Sequence, residues 1–140
     1  MGAVFRWMRT LYLFFAATTR RLVVFPSGAV PVTLLGTAGA WPAWAAGAAG
    51  DQIAATVGAK AIRIYQIDMS NPTAAVDFEM RIGYGAVGAE TWFGPVTLNL
   101  ASVTLPFPLE VPAGQRLAAQ CRDSAGGNTV DVKILAYTIT

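Results

Sequence analysis

From Val76 to Tyr84 the chain sets apolar side chains at Val76, Phe78, Met80, Ile82 and Tyr84 and places Asp77, Glu79, Arg81 and Gly83 between them. Period-two alternation is what a half-buried antiparallel strand requires, because successive side chains leave opposite faces of a sheet. Ala61 to Met69, Glu90 to Leu100, Leu105 to Val111, Arg116 to Arg122 and Val130 to Ile139 also read as strands. Between them stand clusters of turn-forming residues, Ser70-Asn71-Pro72-Thr73, Pro112-Ala113-Gly114-Gln115 and Ser124-Ala125-Gly126-Gly127-Asn128. The first of these turns is expected to close a hairpin in which Ala75 to Tyr84 returns beside Ala61 to Met69. Pro95 predicts an edge position or a bulge. Pro106, Pro108 and Pro112, alternating with apolar residues, suit a sheet edge that must not recruit other chains. The expected fold is all-β, an antiparallel β-sandwich of jelly-roll-like form with an extended N-terminal arm. Its core is expected to contain Val76, Phe78, Met80, Ile82, Leu117, Val130, Val132 and Ile134.

Ahead of residue 61 the pattern changes twice. Residues 1–21 form an apolar arm punctuated by arginine, 22–60 a Gly/Ala/Pro-rich segment with short strands, and 61–140 the β-sandwich core, all within one domain. The run Leu11-Tyr12-Leu13-Phe14-Phe15 has no decisive period and fits a short helix or a strand. Bounded by Arg9 and Arg20, it is too short for a membrane span, which takes about 20 apolar residues. Leu22 to Gly50 is uncharged but broken by Pro26, Pro31 and Pro42 and by glycines, so a spanning helix is not expected there either. Arg20-Arg21 followed by Leu22-Val23-Val24-Phe25 and by Ala43-Trp44-Ala45 has the outline of a twin-arginine export signal. The plainer reading is two arginines preceding a strand.

Composition changes the picture in one respect. The chain is 54% apolar and 13% charged, against about 25% charged for an ordinary soluble domain, so apolar surface is expected to meet other chains. The net charge is +2. Arg6, Arg9, Arg20 and Arg21 are the only charges before Asp51, and all eight acids follow. Such sparse arginines lack the density of a nucleic-acid-binding tail; a guanidinium suits anchoring against carboxylates or carbonyls of adjacent subunits.

Candidate chemistry is thin. With no histidine in the chain, the commonest general base and metal ligand are both missing, and no enzymatic activity, cofactor or metal is expected. Cys121, on the face of Leu117 and Ala119, reads as an inert core thiol. Asp77 and Glu79 stand about 7 Å apart by strand rise, a separation inverting glycosidases use, but Arg81 beside them suits a solvated sheet face. Asp131 and Lys133 read the same way. Gly83-Tyr84-Gly85-Ala86-Val87-Gly88 formally fits G-x-G-x-x-G, yet a strand-like stretch follows in place of a helix. Trp41, Trp44 and Trp92 could stack on a sugar ring; packing in a core or a subunit seam is the plainer reading, and around Trp41 and Trp44 the neighbours are only alanine, glycine and proline.

Two stretches, Ile67 to Gly83 with its Ser-Asn-Pro turn and Leu105 to Leu117 with its Val-Pro-Ala-Gly turn, together with Val130-Asp131-Val132-Lys133, resemble small β-sandwich decoration or cement proteins of tailed bacteriophage capsids. That resemblance implies a virion component on the capsid surface, a homo-oligomer with a trimer favoured, and the major capsid protein as partner. It implies neither direct nucleic-acid binding nor a membrane. Partner contacts are expected at Arg6, Trp7, Arg9, Phe14, Phe15, Arg20, Arg21, Trp41 and Trp44. A phage tail, fibre or head-completion component and an exported carbohydrate-binding module are the alternatives.

Overall fold

The computed structural model describes residues 21–36, 44, 50–99 and 102–139, apart from the Phe107 side chain. Nine strands run through the described residues: β1 (Leu22–Phe25), β2 (Val32–Leu35), β3 (Asp51–Ala54), β4 (Ile62–Ser70), β5 (Phe78–Tyr84), β6 (Thr91–Leu98), β7 (Ser102–Val111), β8 (Leu117–Asp123) and β9 (Thr129–Thr138). They form two antiparallel sheets that share one core, a β-sandwich. In the first sheet β4 lies between β7 and β9, while β1 and β2 lie end to end along the far side of β9. The second sheet runs β3-β8-β5-β6. The antiparallel pairs nest: β5 with β6, β4 with β7, β3 with β8, and β1 with β2 against β9.

Inward positions follow the alternation. Phe78, Met80 and Ile82 of β5 meet Val130, Val132 and Ile134 of β9 and Leu117 of β8 in one buried cluster, with Val76 packed partly buried at its margin. The strands of the 22–60 segment belong to this core too, through Phe25, Leu34 and Ile53. Two register shifts re-aim side chains. Tyr65 is an extra residue of β4 between Ile64 and Gln66, so the buried series steps from Ile62 and Ile64 to Ile67, as a β-bulge requires. Gly94 and Pro95 fall at a shift between β5 and β6, and β6 is an edge strand, as Pro95 predicts.

The expected hairpin between β4 and β5 does not form. β4 pairs with β7 and β9, and β5 with β6 and β8, so residues 71–77 cross from one sheet to the other. Both strands carry an apolar face turned into the same core, and alternation, which fixes the inward face, does not specify the neighbouring strand. The crossing is tied down where Thr73 N donates to Thr129 O (2.9 Å) and Ser124 N to Asp77 O (2.9 Å).

Candidate interaction surfaces

Of the residues expected to touch partners, Arg6, Trp7, Arg9, Phe14, Phe15, Arg20 and Trp41 lie outside the described residues. Arg21 and Trp44 are described, and they belong to different surfaces. Trp44 sits on the outer face of the second sheet, over the arginines of β5 and β8. Arg21 lines a groove beside β1.

On the outer face of the second sheet, register sets Glu79 opposite Arg122, Arg81 opposite Gln120, and Gly83 opposite Trp92. Arg122 Nε donates to Glu79 Oε2 (2.7 Å), and Arg81 Nε to Gln120 Oε1 (2.8 Å). The Arg81 guanidinium lies 4.3 Å from the Trp92 ring centroid and 4.7 Å from that of Trp44, with Arg122 4.8 Å from Trp44. Burial lowers the Arg81 pKa, partly opposed by Glu90. Trp92 is seated on glycine: a Cβ at Gly83 would stand 2.7 Å from its ring. Gly83 of the G-x-G-x-x-G match thus gives room to an indole, and the stretch is the β5–β6 hairpin loop. Arginine stacking of this kind stabilises by about 0.5–2 kcal/mol per contact, and it engages both indoles with groups of their own chain.

Glu90 and Arg116 form a buried ion pair at the sheet's end. Arg116 Nη1 donates to Glu90 Oε1 (2.8 Å), Arg116 Nη2 to Gly50 O (2.6 Å), and Gly50 N to Glu90 Oε1 (3.2 Å). Burial pushes the Glu90 carboxyl up, but hydrogen bonds from its own and the Gly50 N–H and from Arg116 outweigh it, leaving the pKa lowered. The pair fastens the entry to β3 against the starts of β6 and β8. Asp123, fully buried, plays a similar part at the β8–β9 turn: Ala125 N (3.0 Å), Gly126 N, Asn128 N (3.2 Å) and Asn128 Nδ2 (2.9 Å) all donate to it. Burial opposes its charge, but those bonds prevail and hold its pKa below the ordinary value. Neither residue is legible as buried from alternation alone, although an acid before Ser-Ala-Gly-Gly-Asn is the signature of a side chain that caps its own turn.

Cys121 is buried, and burial, with Asp123 and Asp51 nearby, pushes its thiol up to about 12. It stays protonated, so it is no thiolate nucleophile. Asp77 is exposed, and Glu79 is engaged by Arg122. Among the described residues no group of three or more Cys, Asp or Glu could hold a metal ion, and no helix is long and apolar enough to cross a membrane.

The second surface is the β1–β2 edge. Leu22-Val23-Val24-Phe25 is apolar at every step, so turning Phe25 inward leaves Leu22 69% and Val24 42% exposed. Val30 and Leu35 on the same edge are 76% and 61% exposed; Val87, in the β5–β6 loop, is the remaining large exposed hydrophobic among the described residues. Beside β1 runs a groove of about 520 Å3, with Leu22 to Ser27 on one side and Ile53 to Gly58 on the other. Its second wall is held by Val57 N donating to Gln115 O (2.9 Å) and Gly114 N to Gly58 O (2.8 Å). No family model, curated protein or solved structure matches this chain.

Proposed function

We propose that this chain is a non-enzymatic structural protein that decorates or cements the capsid shell of a tailed bacteriophage. The observation that carries the assembly part of this reading is the apolar β1–β2 edge with its adjoining groove. Large apolar side chains exposed along one pair of strands on a small domain mark a contact surface. Support for a shell protein comes from the winding. The nested antiparallel pairs, alternating between two sheets, are consistent with a jelly roll, an architecture that viral capsid proteins use and that lectin domains share. The resemblance of residues 67–83 and 105–117 to capsid decoration proteins narrows the choice. The sugar-binding alternative is weakened because the rings of Trp44 and Trp92 already stack on Arg81 and Arg122.

In mechanical terms, each copy would stabilise a shell by burying apolar area, at about 25 cal/mol per Å2 before association costs. Modest contacts repeated over a shell sum to a large total. The test is antibody labelling of gradient-purified particles from cultures that encode the chain. Label co-migrating with DNA-filled heads is the expected result. Label confined to tails, or absent from particles while the chain is abundant in the lysate, overturns the decoration reading.

A further inference from the structure

We propose that residues 50–58 form a strap that opens from the sandwich as a unit, held shut by the Glu90–Arg116 pair, and that its opening bares one backbone edge of β8. The strap runs through β3 and hangs on a single segment of the fold. Asp51, Gln52 and Ala54 pair with Ala119, Ala118 and Leu117 of β8 across a register shift. Beyond β3, Val57 N donates to Gln115 O (2.9 Å) and Gly114 N to Gly58 O (2.8 Å). The buried side chains of the strap are Ile53 and Val57, while Asp51, Gln52, Ala55 and Thr56 are exposed. On its other side β8 pairs with β5 at every position from Phe78 to Tyr84. A four-residue strand with an interrupted ladder and two core anchors has the sparse packing of a unit that opens well below the free energy of global unfolding.

The ion pair closes the end of the strap that the ladder does not reach. Gly50 precedes β3, and both of its main-chain groups are taken by side chains: its N donates to Glu90 Oε1 (3.2 Å), and its O accepts from Arg116 Nη2 (2.6 Å). Glu90 precedes β6, and Arg116 precedes β8, where its own O accepts from Gly85 N (3.2 Å). The latch is thus anchored to the part of the sheet that stays in place. A Cβ at Gly50 would stand 2.5 Å from the Trp92 ring, so this close seating needs glycine. Glu90 Oε2 and Arg116 Nε, however, are buried with no hydrogen-bond partner. A buried acceptor and a buried donor left unpaired both work against the closed state and regain water when it opens. Opening frees the groups of Leu117 to Ala119 that face β3, in a stretch whose side chains are fully buried. A bared strand edge of this kind pairs with other chains, so the strap guards β8 for as long as the pair holds. The device works within one copy and is independent of the assembly reading.

The test is hydrogen–deuterium exchange of the full chain, read at single-residue level by mass spectrometry. In the native chain the amides of 51–58, and those of Leu117 to Ala119 that face β3, should exchange together and at least about tenfold faster than the amides of β9. Glu90→Gln keeps the shape of the side chain and removes its charge. It should speed exchange of 51–58 at least about tenfold further and leave β9 unchanged. Exchange of 51–58 at the β9 rate in the native chain, meaning that the strap opens only when the whole sandwich does, overturns the inference. So does a Glu90→Gln variant that leaves 51–58 unchanged, or that speeds 51–58 and β9 alike.

Discussion

Along β7 the outer backbone of the first sheet carries Pro106 and Pro108 within the strand, whereas along β1 it carries Leu22-Val23-Val24-Phe25, with Arg21 and Pro26 only at the two ends. The β7 ladder is also broken, its pairing with β4 jumping from Leu109 to Thr104, and an exposed Arg63–Glu110 pair (3.2 Å) puts charge beside it. Proline, irregular register and charge are the devices by which edge strands avoid joining other sheets. Among the described residues, one edge of the sheet thus carries features that discourage strand addition, and the β1 strand on the opposite edge does not. Of the five large exposed hydrophobics among the described residues, four, Leu22, Val24, Val30 and Leu35, lie along β1, β2 and the turn between them.

Both edges hang on the same core, so the comparison is meaningful only if that core is the stable unit. Phe78→Ala, at a fully buried position, should cost about 3–5 kcal/mol in chemical denaturation. A loss below about 1 kcal/mol would mean that the edges are not carried by this sandwich.

Asp123→Ala should cost about 2–4 kcal/mol, because four donors lose a buried acceptor. It also sharpens the comparison, since the end of β2 is moored here: Gly36 N donates to Asn128 O (2.8 Å), and Gly36 has no room for a Cβ against Asp123. The folded pKa of Asp123 lies below its ordinary value of 3.8. The carboxylate therefore adds stability that is complete above the unfolded value and is lost as pH falls through the folded one. Glu90 and Asp131 are shifted the same way; burial shifts Asp51 in the opposite sense. Thermal melts should be nearly flat well above pH 4 and fall below it, and Asp123→Asn should flatten that fall. An unchanged acid slope in that variant would remove Asp123 from the explanation.

Removing the prolines of β7 is the next way to break the contrast. Replacing Pro106 with Val and Pro108 with Thr should alter stability by less than about 1 kcal/mol, since both positions are exposed. Light scattering should nevertheless show new concentration-dependent association. If the double variant behaves as the parent does, proline is not what keeps β7 solitary.

Much of this arrangement was legible in the chain. Alternation located β4 to β9 and their buried faces, and the prolines of β6 and β7 marked edges, because a missing N–H has the same consequence in any sheet. Pairing was not legible. Period two fixes which side chains share a face but not which strand lies alongside, so β4 and β5, adjacent in sequence with a turn between them, read as a hairpin and belong to different sheets. Trp92 over Gly83 depends on cross-strand register, and Glu90 with Arg116 and Arg81 under Trp44 depend on tertiary packing of segments far apart in sequence, so all three were equally hidden. β1 was visible only as four apolar residues without a period, and its pairing with β9 settles that Phe25 turns inward and Leu22 and Val24 outward.

Placing charge on the β1 edge should have the smallest effect on the fold and the clearest one on assembly. Leu22→Lys with Val24→Lys places charge at two exposed positions, which should change folding stability by no more than about 0.5 kcal/mol. Sedimentation equilibrium of the full chain and of this double variant, over the same concentrations, should show self-association weakened at least about tenfold, or roughly 1.4 kcal/mol. An equally strong association in the double variant, with its fold intact, would contradict the proposal that copies meet through the β1 edge.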